Sequence, residues 1–72
     1  MAEKATRPGP MGENQIVYSE LTPLQHQAAI NHMHADIPGQ YSYEYDRDDP
    51  TWIVLNDVSP ELVQSFEAAL VV

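Results

Sequence analysis

The chain has no cysteine. A disulfide framework, a thiolate zinc site and a cysteine nucleophile are therefore excluded. Three glycines and three cations (Lys4, Arg7 and Arg47) leave little from which to build a phosphate cradle. No apolar run approaches the roughly 18–20 residues of a membrane span, and the amino terminus lacks the apolar stretch of a secretion signal. These absences point to a cytoplasmic protein with no membrane partner. Its 72 residues allow one small domain.

What the chain has in excess is acid: 11 Asp and Glu against 3 Lys and Arg, a formal net charge of −8. Residues 1–13 balance two cations with two anions among two prolines and two glycines, the composition of a disordered tail. Residues 14–72, the expected folded domain, hold nine acids and the single cation Arg47. Such a surface attracts basic partners and repels phosphate backbones, so direct binding to DNA or RNA is excluded.

A weak repeat organises the sequence. IVYSELTPLQHQA (16–28) aligns without gaps on IVLNDVSPELVQS (53–65). Ile16/Ile53, Val17/Val54, Pro23/Pro60 and Gln27/Gln64 are identical, and Glu20/Asp57, Leu21/Val58 and Thr22/Ser59 are conservative. Each copy is a β-branched run, an acid, an apolar residue and Ser/Thr-Pro. The hydroxyl caps the free amides of a first helical turn, and proline fits the position where no donor is needed. Each copy therefore predicts a strand running into a helix.

The first helix is expected over 23–37, with Thr22 and Gln25 as a capping box and His26, Ala29, Ile30, Met33 and Ile37 on one face. The second is expected over 60–71, with Val58 and Val63 as a hydrophobic staple and Leu62, Val63, Phe66, Ala69 and Leu70 as its apolar face. Between them, Tyr41, Tyr43 and Tyr45 alternate with polar residues, DRDDP reads as a turn and TWIVLN as a strand. The expected fold is α+β, β-α-β-β-α: a small three-stranded mixed sheet with two helices on one face. This is a split βαβ or ferredoxin-like layout lacking its last strand. Strands at 14–20, 40–46 and 51–56 follow, the two repeated ones parallel and adjacent. Ile16, Tyr18, Ile53, Leu55 and the tyrosine stripe would face the helices. Trp52, Val17 and Val54 would face outward, and the first strand would keep an unpaired edge.

Four patterns in the sequence suggest chemistry. His26, His32, His34 and Asp36 suggest a metal site, but on a helix His32 and His34 point about 200° apart. They read as solvated or boundary side chains, with a metal or pH sensor as the minor alternative. Asp46, Asp48 and Asp49 miss the calcium-loop spacing, with Asp57 where the twelfth-position glutamate belongs. Ser19, Ser42, Ser59 and Ser65 lie outside any nucleophile elbow, and Glu44 and Asp46 sit on a polar strand face where pKa tuning is weak. The tyrosines resemble a base-stacking platform but are surrounded by acids, so they read as core. No catalytic site, cofactor or metal is expected, and the chain reads as no enzyme.

The resulting expectation is a protein-binding regulator or inhibitor, in its sharpest form an acidic nucleic-acid mimic that fills a partner's basic nucleic-acid channel. Accessory proteins of viruses or mobile elements fit that description. Trp52, Val17 and Val54 would anchor the partner, with Glu44, Asp46, Asp48, Asp49 and Asp57 supplying charge. The alternative is a self-associating subunit such as a homodimer, paired through the same face or through the free edge.

Overall fold

A computed structural model of the chain describes residues 2–35 and 41–71. The elements run β1 (Glu3–Pro8), β2 (Asn14–Ser19), α1 (Pro23–Ala35), β3 (Tyr43–Asp46), β4 (Asp49–Asn56) and α2 (Pro60–Ala69). The α+β class holds. The sheet, however, has four strands in the order β1-β2-β4-β3, and every neighbouring pair is antiparallel.

The first correction concerns residues 3–8. Composition places them in an unstructured tail; they form β1, paired with β2 from Glu3↔Ser19 to Pro8↔Asn14. The prolines and glycines belong to the hairpin. Gly12 takes the left-handed conformation (φ 82°), and the Gly9 N–H donates to the Glu13 carbonyl at 2.7 Å. All six β1 residues are exposed, so no apolar alternation marks the strand. Pro8 is tolerated because β1 is an edge.

The second correction concerns strand direction. α1 carries the chain back so that β3 runs parallel to β2. The Arg47-Asp48 turn then reverses it, and β4 slots between them, antiparallel to both. The repeated strands are thus antiparallel neighbours, with Ile16↔Leu55, Val17↔Val54 and Tyr18↔Ile53 opposed. The edge of β2 that was expected to stay open is covered by β1.

The repeat itself is structural. Its spacing of 37 residues exchanges Val17 with Val54, which are paired, so a pseudo-twofold axis passes through that pair. Glu20 and Asp57, equivalent in the repeat, share the left-handed conformation (φ 55° and 49°). They are the non-glycine residues with positive φ among those described. The turns then cross-tie the copies: the Leu21 N–H donates to the Thr51 carbonyl and the Asp57 N–H to the Asn14 carbonyl.

Both caps form as expected. The Gln25 N–H donates to Thr22 Oγ1 at 3.1 Å and the Thr22 N–H to Gln25 Oε1 at 3.0 Å, the reciprocal capping box. Ser59 Oγ accepts from the Leu62 N–H at 3.4 Å. α1 buries His26, Ala29, Ile30 and Met33. Ile37, expected on the same face, and Gln40, expected to open a strand, lie outside the described residues. α2 buries Val63 and Phe66, and Leu70 at its end is also buried. These groups close on Tyr18, Ile53 and Leu55 in one core, with Tyr41 inside it and Ile16, Tyr43, Tyr45, Val58 and Leu62 packed around it.

Candidate interaction face

With both helices over one face of the sheet, strand alternation leaves the other uncovered. Ile53 and Leu55 point into the core, so Trp52, Val54 and Asn56 point away from it. Ladder partners share a face. Across the four strands this gives a central row of Ala5, Val17, Val54 and Glu44. Trp52 flanks that row towards Glu3 and Ser19. Val54 is itself buried and Val17 and Trp52 are half-buried, so neighbouring side chains already shield much of the apolar centre. The strongly exposed large apolar residues, Met11, Leu24 and Val71, lie elsewhere.

The next row is polar and continuous. Arg7 Nε donates to Gln15 Oε1 at 2.8 Å, Gln15 Nε2 to Asn56 Oδ1 at 2.8 Å, and Asn56 Nδ2 to Glu44 Oε2 at 3.4 Å. A guanidinium, two amides and a carboxylate thus form a ladder across all four strands. Gln15 is only 5% exposed, and its partners satisfy both ends of its amide.

Of the eight residues expected to meet a partner, Val17, Val54, Trp52 and Glu44 share this face. Asp46, Asp48 and Asp49 gather at the tip of the β3–β4 hairpin, next to Trp52 in the chain. There Asp46 Oδ1 accepts from the Asp48 N–H at 2.9 Å, an ordinary turn bond. Asp57 falls at the opposite end of the sheet, where its Oδ1 accepts from the Asn14 N–H at 2.8 Å. Asp57 therefore closes a turn away from the hairpin tip, where it lines a shallow pocket with Glu13 and Glu44. Ala5, Arg7 and Gln15 were missed. The first two lie in the strand that composition disguised, while Gln15 was legible as the residue preceding the inward-facing Ile16.

The histidines meet the tyrosines. His26 packs edge-on to Tyr45 (centroids 5.6 Å), His32 to Tyr41 (5.8 Å), and His34 lies tilted over Tyr43 (6.1 Å). His32 Nε2 and the Tyr41 hydroxyl are 3.2 Å apart, and that hydroxyl donates to the Leu62 carbonyl at 2.9 Å. Tyr43 and Tyr45 stack on one another at 5.9 Å. Among the described residues no three His, Cys, Asp or Glu side chains are placed to hold a metal; Asp36 lies outside them. Nor is any described helix long and apolar enough to cross a membrane.

Three titrating groups are strongly placed. His26 is 7% exposed and its Nε2 is buried without a hydrogen-bond partner. Burial holds its pKa below the usual histidine range, against the opposing pull of Asp49 and a hydrogen bond to the Trp52 backbone. The Tyr18 hydroxyl donates to Glu67 Oε2 at 2.7 Å. Burial, then that carboxylate, drives its pKa upward. Glu67 moves down instead, because Lys4 Nζ donates to the same oxygen at 2.7 Å and Tyr18 adds its bond.

No protein-family model, no curated protein and no solved structure matches this chain.

Proposed function

We propose that this chain is a small, acidic, non-catalytic protein-binding module, acting as a regulator or inhibitor on a partner with a basic surface. The observation that carries this reading is the uncovered sheet face. Both helices lie on the other side, while Trp52, Val17 and Val54 are bordered here by Glu3, Glu44 and the Asp46–Asp48–Asp49 hairpin tip. The rim is mainly acidic, with Arg7 tied to Gln15 and Arg47 set among the tip carboxylates, and an apolar centre with such a rim is how anchoring and steering divide in protein recognition. Of the acids expected to contribute, Asp57 lies apart from the tip, beside Glu44, with one carboxylate oxygen accepting from the Asn14 N–H. In its sharpest form, the acidic tip enters a nucleic-acid channel of the partner.

The test has two arms. The partner is captured on the immobilised full-length chain and eluted in steps of salt, and its binding to nucleic acid is then measured with and without the free chain. Competition with nucleic acid, lost when Asp48 and Asp49 are changed to lysine, supports channel blocking. Unchanged affinity in that variant removes the electrostatic reading. Self-association through the same face is the second reading, favoured by the half-buried Trp52 beside Val17. Sedimentation of the wild type as a monomer at high concentration excludes it.

A further inference from the structure

The pseudo-twofold axis also relates the two edges of the sheet. Through their ladder partners, Tyr45 (opposite Ile53) corresponds to Thr6 (opposite Ile16), and Tyr43 (opposite Leu55) to Lys4 (opposite Tyr18). The 37-residue spacing likewise sets His26 against Val63 and Ala29 against Phe66. On the α1 side, the space between edge strand and helix is filled by the Tyr45 ring and the His26 imidazole. On the α2 side the same positions carry Thr6 and Val63, and between them lies a groove of about 830 Å³. Its walls include Thr6 and Ile16 from the sheet and Val58, Val63, Gln64 and Glu67 from the α2 side. The cavity therefore stands where the other half of the protein holds an aromatic pair.

We infer that this groove is a binding site for a small neutral aromatic compound of the indole or phenol class. The ring would occupy the place that Tyr45 and His26 fill on the opposite edge. The volume lies in the range of small-ligand pockets, and the aliphatic floor of Ile16, Val58 and Val63 suits a ring face. Charge selects neutrality. Of the two cations in the lining, Lys4 is paired with Glu67 and Arg7 is tied to the Gln15 amide, and the net −8 of the chain disfavours an anion. An ammonium would have to compete with Lys4 for the one carboxylate in the lining. The amides of Asn14 and Gln64 line the groove and supply partners for an indole N–H or a phenol O–H, while the Gln15 amide is taken by Arg7 and Asn56. The site lies on the helix side of the sheet, away from the uncovered face, and does not depend on the function proposed for that face.

Titrating the isotopically labelled full-length chain with indole, and following its backbone amides by NMR, tests this directly. Saturable shifts are expected at Thr6, Ile16, Val63 and Gln64, with a dissociation constant in the millimolar range or tighter. Benzoate and benzylamine should bind several-fold more weakly. Thr6→Tyr supplies the missing ring from the chain itself and should weaken indole binding about tenfold or more while raising the melting temperature. Gln64→Trp, at an exposed helix position, should block the groove without touching the sheet. Absence of saturable shifts, shifts centred elsewhere, equal binding of benzoate, or indole binding unchanged by either substitution would each overturn the assignment.

Discussion

The half built from β2, α1 and β3 and the half built from β4, α2 and β1 share a backbone plan and fill it in opposite ways. In the first, the edge strand brings large rings, Tyr43 and Tyr45, and the helix answers with Ala29, whose exposure is zero. In the second, the edge strand brings Lys4 and Thr6, and the helix brings Phe66, also fully buried, with its ring centroid 4.8 Å from that of Tyr18. Ring volume has moved from strand to helix. A small residue on α1 lets that helix lie close over β4, whereas Phe66 props α2 on Tyr18 and leaves the groove beside β1. The comparison teaches that backbone symmetry comes from the turn-and-cap grammar of the repeat, while packing inside it is free to differ so long as each helix meets a complementary strand surface.

The largest expected effect tests that exchange of volume. Phe66→Ala should cost about 3–5 kcal/mol, enough to unfold much of a domain this small. Tyr45→Ala, at a half-buried edge position, should cost clearly less. Denaturant melts of the two variants make the comparison. Equal losses would mean that the two halves are not filled by compensating rings.

Next in size is the removal of β1. Deleting residues 2–8 strips the β2 edge of its ladder and breaks the Lys4–Glu67 pair. At roughly 0.5–1.5 kcal/mol net for each hydrogen bond, the loss should be on the order of 3 kcal/mol. A disordered tail could be removed at no cost, so an unchanged melting temperature would restore the composition-based reading of these residues.

That reading shows where the sequence was legible and where it was not. Strand-acid-apolar-Ser/Thr-Pro appears twice, and both caps and both helices follow from it. Those features depend on contacts within a few residues. The direction of β4 relative to β2 depends on the whole excursion through α1, β3 and a two-residue turn, and no local pattern in either strand records it. β1 was hidden for a different reason. Its pairing is made by backbone groups, and its exposed side chains, Lys4 and Thr6 on the helix side and Ala5 and Arg7 on the other, carry no alternation of polarity. The uncovered sheet face was legible through the parity of Val17, Trp52 and Val54. The turn bond of Asp57 to Asn14 was not legible, because it spans 43 residues.

A pH profile probes the same asymmetry at His26 and Val63. The folded-state pKa of His26 is lowered chiefly by burial, with Asp49 and the Trp52 backbone opposing and Tyr45 packed on the ring. The unfolded chain therefore takes up the proton first, and stability falls as pH drops below about 6.5. Replacing His26 with valine, the residue its counterpart carries, should flatten the profile on the acid side of neutral pH. Glu67 does not interfere in that window. Its pKa is depressed, so its contribution is complete above the unfolded value of 4.5 and disappears only at lower pH. A slope that survives His26→Val would transfer the pH dependence to other groups.

The smallest effect separates the two turns. Glu20 and Asp57 both adopt positive φ, a conformation that costs a non-glycine residue about 1–2 kcal/mol. Glycine removes that strain and returns about 0.5–1 kcal/mol of it as backbone entropy. At Glu20 the balance favours glycine, because the carboxylate is exposed and makes no hydrogen bond among the described residues. Glu20→Gly should stabilise the fold by up to about 1 kcal/mol. At Asp57 the substitution also deletes the carboxylate that accepts from the Asn14 N–H at 2.8 Å, a loss of about 1 kcal/mol. Asp57→Gly should therefore be neutral or destabilising. Two positions with the same backbone angle and the same place in the repeat thus predict melting temperatures that move apart. If both variants shift together, the bond from Asp57 to Asn14 contributes nothing to the turn.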